Sequence, residues 1–201
     1  MIRYLDTDTL LCWAPPPSDA AAPSLRELQI SVAKPIIAYL TSKVWPGVEL
    51  KPTLDLRSIR PVEQPEATRA VIRGWMSGLT AWDLAGLERA VLAGKSLCVG
   101  ARLVVEWSEA FGGVEQAQRG TDSPHQSPPP GPAFPEEERF GIDQASEACS
   151  LEVRWQTRKW GEVEDSHDVE KEDLRRQFGQ VVLVVGGVGG RGEVSGVRGR
   201  G

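Results

Sequence analysis

Apolar residues recur at helical steps of three and four in several blocks of this chain. Leu25, Leu28, Val32, Ile36 and Tyr39 form the first such line. Ser24 and Glu27 supply an S-x-x-E capping box at its start, and Pro35 predicts a kink or a split inside it. A second helix is predicted from about Glu66 to Met76. A third opens at Thr80-Ala81-Trp82-Asp83, read as another capping box, and runs to Ala93 with Leu84, Leu87 and Val91 inward and Gly94 as its end. Ser96 then leads into LCVGARLVVEW, which is apolar almost all round. A run of this kind fits a buried strand or a buried helix. The caps before it and the i, i+4 pair Arg102 and Glu106 favour a helix, and an all-round apolar helix belongs at the centre of a bundle. Residues 42–65 are proline-rich, with Trp45-Pro46-Gly47 as a turn and weak strand signals at Val48–Leu50 and Thr53–Leu56.

The stretch Leu151 to Phe178 carries two of the seven tryptophans, Trp155 and Trp160, and one of the two histidines. Gly161 divides it. Before Gly161, Ala148, Leu151 and Trp155 fall in register, flanked by Ala145, Cys149 and Val153, so Trp155 is expected as a buried anchor. After Gly161 the apolar line thins to Val163, His167, Leu174 and Phe178, which predicts His167 as a packed, hydrogen-bonded residue. Glu162, Glu164, Asp165 and Asp168 crowd the start of this last helix, and Arg175 and Arg176 lie towards its end, as the helix dipole favours. Glu164, Asp168 and Glu172 share one face, where like charges repel by about 0.2–0.5 kcal/mol per pair. Such a face is either plainly solvated or kept acidic for a basic partner.

Composition narrows the function. With 201 residues, 40% of them hydrophobic, a sizeable core is within reach. The net charge of −5, without a basic patch interleaved with aromatics, argues against nucleic-acid binding. Cys12, Cys98 and Cys149 lie far apart, without disulfide or metal spacing, and read as buried free thiols in a reducing compartment. Asp6 and Asp8 in the DTDT run lack further ligands at loop spacing, so turn or cap bonds are expected rather than a metal site. His167 has no hydroxyl or thiol nucleophile at helical spacing, and two histidines offer no zinc set. Neither a catalytic centre, a cofactor site nor a membrane span is predicted.

Two segments stand apart. Residues 112–139 are rich in proline, glycine, serine and charge, and read as a disordered insertion with a polyproline stretch at Ser127–Pro132. The chain from Val181 to Gly201 reads as a disordered glycine-rich tail. Its Gly187-x-Gly189-x-x-Gly192 lacks the helix and second strand that a dinucleotide fold requires. The organisation expected is therefore mainly α: a multi-helix bundle made of residues 1–111 and 140–180, interrupted by 112–139 and followed by 181–201.

Several blocks together resemble the mitochondrial F1-ATPase assembly chaperone family that attends the F1 α subunit. They are Arg3 to Thr9, Leu79 to Glu88 (LTAWDLAGLE), Lys95-Ser96-Leu97, Trp155-Gln156, Lys159-Trp160-Gly161-Glu162-Val163-Glu164 and His167-Asp168. The likeness spans about 1–111 and 140–180 and is carried by the family's carboxy-terminal helical domain. It implies a monomeric chaperone of the mitochondrial matrix, not an enzyme, that binds the unassembled α subunit. On this reading Glu162, Glu164, Asp165, Asp168, Glu172 and Trp160 meet the partner, while Trp155, His167 and Trp82 are structural. The chain begins within structured-looking sequence, so a preceding amino-terminal part is expected. A general interaction module, or an inactive helical fragment without the family's amino-terminal domain, is the alternative.

Overall fold

Helices make up every regular element among the described residues of the computed structural model. These residues are 1–16, 24–53, 61–111, 139–161 and 166–187, without the side chains of Trp160 and of residues 166–170. After a 3-10 turn at Ile2–Thr7 come α1 (Leu25–Tyr39), α2 (Glu66–Ser77), α3 (Ala81–Gly94), α4 (Leu97–Trp107), α5 (Ile142–Trp160) and α6 (Ser166–Val185). The mainly helical bundle expected from the periodicity is what forms. The strand signal at Val48–Leu50 gives no strand, and that at Thr53–Leu56 falls mostly outside the described residues.

The central helix is α4. Leu97, Cys98, Val99, Gly100, Ala101, Leu103 and Val104 are all buried. It packs against α1, α3, α5 and α6 and against the amino-terminal turn. Its start is fixed from two directions. Ser96 Oγ accepts the Val99 N–H (3.0 Å), and the wholly buried Asp8 accepts the N–H of Cys98 (3.0 Å) and of Leu10 (3.0 Å). The DTDT run is thus a cap for a helix 90 residues away in sequence.

The other ends follow the residues that make them. Ser24 and Glu27 form the reciprocal box at α1. The helix runs through Pro35, which takes the N–H donor from the carbonyl of Ser31 on the exposed side of the helix, and passes into a π-helical turn at Leu40–Val44. At α3 the box is incomplete. Thr80 accepts the Asp83 N–H, but the buried Asp83 carboxylate takes the Thr80 hydroxyl (2.7 Å). The left-handed residue that ends α3 is Lys95, at φ 53°. Gly94 serves packing instead: a methyl there would lie 2.6 Å from Cys149 Sγ. Gly161, at φ 90°, closes α5 as its place between the two patterns predicts.

Several expectations change. Trp82 is 64% exposed and Leu84 is exposed, so neither fills the core; Asp83, Gly86 and Leu87 face inward on α3. Leu87 and Val91 are buried as the pattern predicts; of that line Leu84 alone turns outward, and the buried Asp83 takes the inward place beside it. On α5 the first half is buried at Ala145, Ser146 and Ala148, but Val153 is 40% exposed and Trp155 is half-buried. Lys159 Nζ lies over the Trp155 ring at 4.9 Å. Trp155 is therefore a partly covered residue of the outer half of the helix. Among the described residues, the fully buried tryptophan is Trp45, edge-on to Trp75 with ring centroids 5.4 Å apart.

Both boundaries drawn by composition move as well. The last helix continues to Val185, burying Val181 and Val185, so 181–185 belongs to the bundle rather than to a tail. Arg139 packs at the mouth of α5. The remaining insertion residues, 112–138, and 188–201, including Gly189 and Gly192, lie outside the described residues.

Candidate protein interface

The acidic face predicted on the last helix is only partly described. Glu162, Glu164 and Asp165 lie outside the described residues, and so do the side chains of Trp160, His167 and Asp168. The helical backbone from Ser166 places position 168 one turn before Glu172, on one face. Glu172 is exposed, but it is not an isolated anion. Arg175 reaches Glu172 (3.3 Å) and crosses to Asp143 at the start of α5 (2.5 Å). Next to it, Asp173 accepts from Gln177 and pairs with Arg176 (2.6 Å), and these contacts hold its carboxyl below the usual range, Gln177 first. The carboxyl-terminal end of the face is thus neutralised by its own arginines. The opposite side of α6, at Leu174, Phe178, Val181 and Val185, packs on α3 and α5.

A second surface was not anticipated. Between α1, α4 and the lead-in to α5 lies a cleft of about 350 Å³, walled by Val32, Ile36, Tyr39 and Phe140 and edged by Arg102 and Arg139. Arg102 pairs with Glu106 as the i, i+4 spacing predicts, and its guanidinium stacks 3.7 Å from the Tyr39 ring centroid and 5.0 Å from that of Phe140. Arg139 lies 4.2 Å over Trp107 and donates to the Glu106 carbonyl (3.0 Å), while Trp107 Nε1 donates to the Phe140 carbonyl (2.9 Å). One signal could have revealed this cluster: Arg139-Phe140 directly precedes Gly141-x-x-Gln144. There the Gln144 side chain accepts the Gly141 N–H (3.0 Å) and opens α5.

Chemistry at buried groups follows from desolvation. Burial pushes Asp8 up from the ordinary carboxylate value against the pull of its hydrogen bonds, and desolvation likewise raises the thiols of Cys98, which is buried, and of Cys12 and Cys149, which are only partly so. Raised thiols are poor nucleophiles. Among the described residues, no group of three or more histidine, cysteine or acidic side chains could hold a metal ion, and no helix is long and apolar enough to cross a membrane.

Fold and surface together define a mainly α-helical bundle that presents ordered charge and apolar clefts of the size used in recognition. The particular likeness is sharper. The chain is 30% identical over 184 residues to Protein ATP12, mitochondrial, of Saccharomyces cerevisiae, covering 89% of this chain and 50% of that protein. To Protein atp12, mitochondrial, of Schizosaccharomyces pombe it is 26% identical over 184 residues, covering 92% and 51%. The crystal structure of Atp12 from Paracoccus denitrificans shares the fold at a TM-score of 0.59 and 15% identity, over 92% of this chain and 62% of that one. A point variant of that bacterial protein gives 0.61 and 15%, over 91% and 60%. No family model matches the chain. The resemblance to the F1-ATPase assembly chaperone family is borne out by these relatives, and the chain spans about half the length of the two fungal proteins it matches.

Proposed function

We propose that this chain is an assembly chaperone, not an enzyme, that binds the unassembled α subunit of F1-ATPase and shelters it until its β partner arrives. It acts as a monomer in the mitochondrial matrix and needs no cofactor. The observation that carries this reading is the 30% identity over 184 residues to a mitochondrial ATP12 protein, which reinforces the family motifs in the sequence. The acidic residues Glu162, Glu164, Asp165, Asp168 and Glu172, with Trp160 just before them in the sequence, would meet a basic patch of the client. Aromatic anchors next to ordered charge suit such a role.

A second reading is favoured by the coverage of about half of each fungal relative: an interaction module that needs further sequence to act on the client. The test is capture of purified F1 α subunit by the immobilised chain, with the β subunit as control. Capture of α alone, together with a higher yield of α–β assembly in its presence, is expected. Capture without improved assembly supports the module; no capture by a folded chain overturns α-subunit binding.

A further inference from the structure

The cleft between α1, α4 and α5 has a second property beyond its apolar walls. Two guanidiniums, Arg102 and Arg139, share a single carboxylate, Glu106. Arg139 Nε stands 3.6 Å from Glu106 Oε1, an ion-pair distance but not a hydrogen bond, and this buried N–H finds no acceptor among the described residues. The other acid at the cleft, Glu147, is already held by Arg154 at 2.8 Å and does not offset the excess. One positive charge is therefore left over beside an apolar hollow. Stacking on Tyr39 and Trp107 fixes both guanidinium planes beforehand, so a carboxylate that meets them orders little that is not already ordered. No residue of α6 lines this cleft, and its charge is opposite to that of the acidic face.

We propose that this cleft docks a protein segment that presents an aromatic or aliphatic side chain next to a carboxylate. The apolar side chain fills the hollow between Val32, Ile36 and Phe140, and the carboxylate lies against the Arg102–Arg139 edge. A volume of about 350 Å³ admits one large side chain and part of its neighbour. This surface is independent of the acidic face and of the identity of its client.

The probe is a fluorescein-labelled peptide, Ser-Gly-Phe-Glu-Glu-Gly-Ser, titrated into the full chain by fluorescence polarisation. Two controls replace its Phe by Ser or both Glu by Lys. The discriminating variant is Gln144→Glu. A glutamate at this third position of α5 accepts the Gly141 N–H as glutamine does and gives up only the long Nε2 donation to the Arg139 carbonyl (3.4 Å) at an exposed position, so the cap is kept while a negative charge enters the cleft. Saturable binding is expected, weaker by about tenfold for either control peptide and by about fivefold for Gln144→Glu, whose melting temperature should match the parent's. Absent binding, equal binding to Gln144→Glu, or equal binding of the Phe-to-Ser peptide would each overturn the proposal. Binding only by a Phe134→Ser chain would identify this chain's own Phe134–Glu138 segment as the occupant. Self-association competed by the peptide would identify a second copy. Either result displaces an external segment.

Discussion

Gly86 of α3 lies directly beneath Val185 of α6: a methyl group built on Gly86 would stand 2.5 Å from Val185 Cγ1 and 3.6 Å from Val181 Cγ1. The close approach of these helices depends on the missing side chain. Alanine is favoured over glycine inside a helix by about 1 kcal/mol. Here that gain is overridden, because a buried β-branched neighbour has no free rotamer to retreat into. Gly86→Ala should destabilise the bundle by about 1–3 kcal/mol in urea melts. Adding Val185→Ala should recover part of the loss, a favourable coupling in the double-mutant cycle. Additive losses would show that the two helices do not meet at this point.

Trp45 and Trp155 should separate in the same assay. Trp45 is fully buried against Trp75, and truncation of a buried tryptophan to alanine costs about 3–5 kcal/mol. Trp155 is half-buried beneath Lys159, so Trp155→Ala should cost clearly less and leave a folded chain. Equal losses would show that Trp155 is a core residue after all.

The contrast shows what the sequence makes legible. Helix existence and type follow from periods and caps, so Ser24, Ser96 and Gly161 mark ends that the structure keeps. Which tryptophan is buried does not follow, because Trp155 satisfies a helical register that only the first half of α5 uses for packing. Val181 to Val185 resist assignment for a related reason: five residues rich in valine, followed by glycines, look like a tail until Gly86 opens a groove for them on a helix about 100 residues earlier. The Arg102–Arg139 cleft joins residues from three separated segments: Arg139-Phe140 before the Gly141-x-x-Gln144 cap marks one of them, but no local pattern brings Tyr39 and Arg102 to it. The acidic run from Glu162 to Glu172 is the opposite case: its order is written within eleven residues of the sequence, and the role proposed for it rests on the partner that would meet it.

Asp8 should leave a signature in pH. Burial raises its carboxyl above the unfolded value of 3.8, so the folded chain holds the proton more tightly than the unfolded one. Its contribution to stability is therefore fully present below the unfolded value and is lost as pH rises through the folded value. Asp8→Asn removes this dependence. It also turns one of two acceptors into a donor facing the N–H of Leu10 or Cys98, which should cost about 1–3 kcal/mol. Denaturation from pH 3 to pH 8 should show the gap between parent and variant narrowing as pH rises. A constant gap would mean that Asp8 titrates alike in both states.

The acidic face can be tested without disturbing the core. Glu164→Gln with Asp168→Asn removes two charges at one end, leaving Glu172 and its partner Arg175 in place at the other. If the face is only solvated, relief of like-charge repulsion between position 168 and Glu172, one turn on, should leave stability unchanged or raise it by a few tenths of a kcal/mol. The helix dipole works against part of this gain, because it favours an anion at position 168 in the first turn of α6. If the face meets a basic patch on the F1 α subunit, the double variant should lose affinity severalfold, and the parent interaction should weaken with added salt as screening shortens. Glu172→Gln should have the smaller effect of the two, because Arg175 already takes up much of its charge. The measurement is α-subunit affinity at low and high salt for both variants, with melting curves recorded alongside. Unchanged affinity in a folded double variant at low salt would assign this face to solvent and move client recognition elsewhere on the bundle.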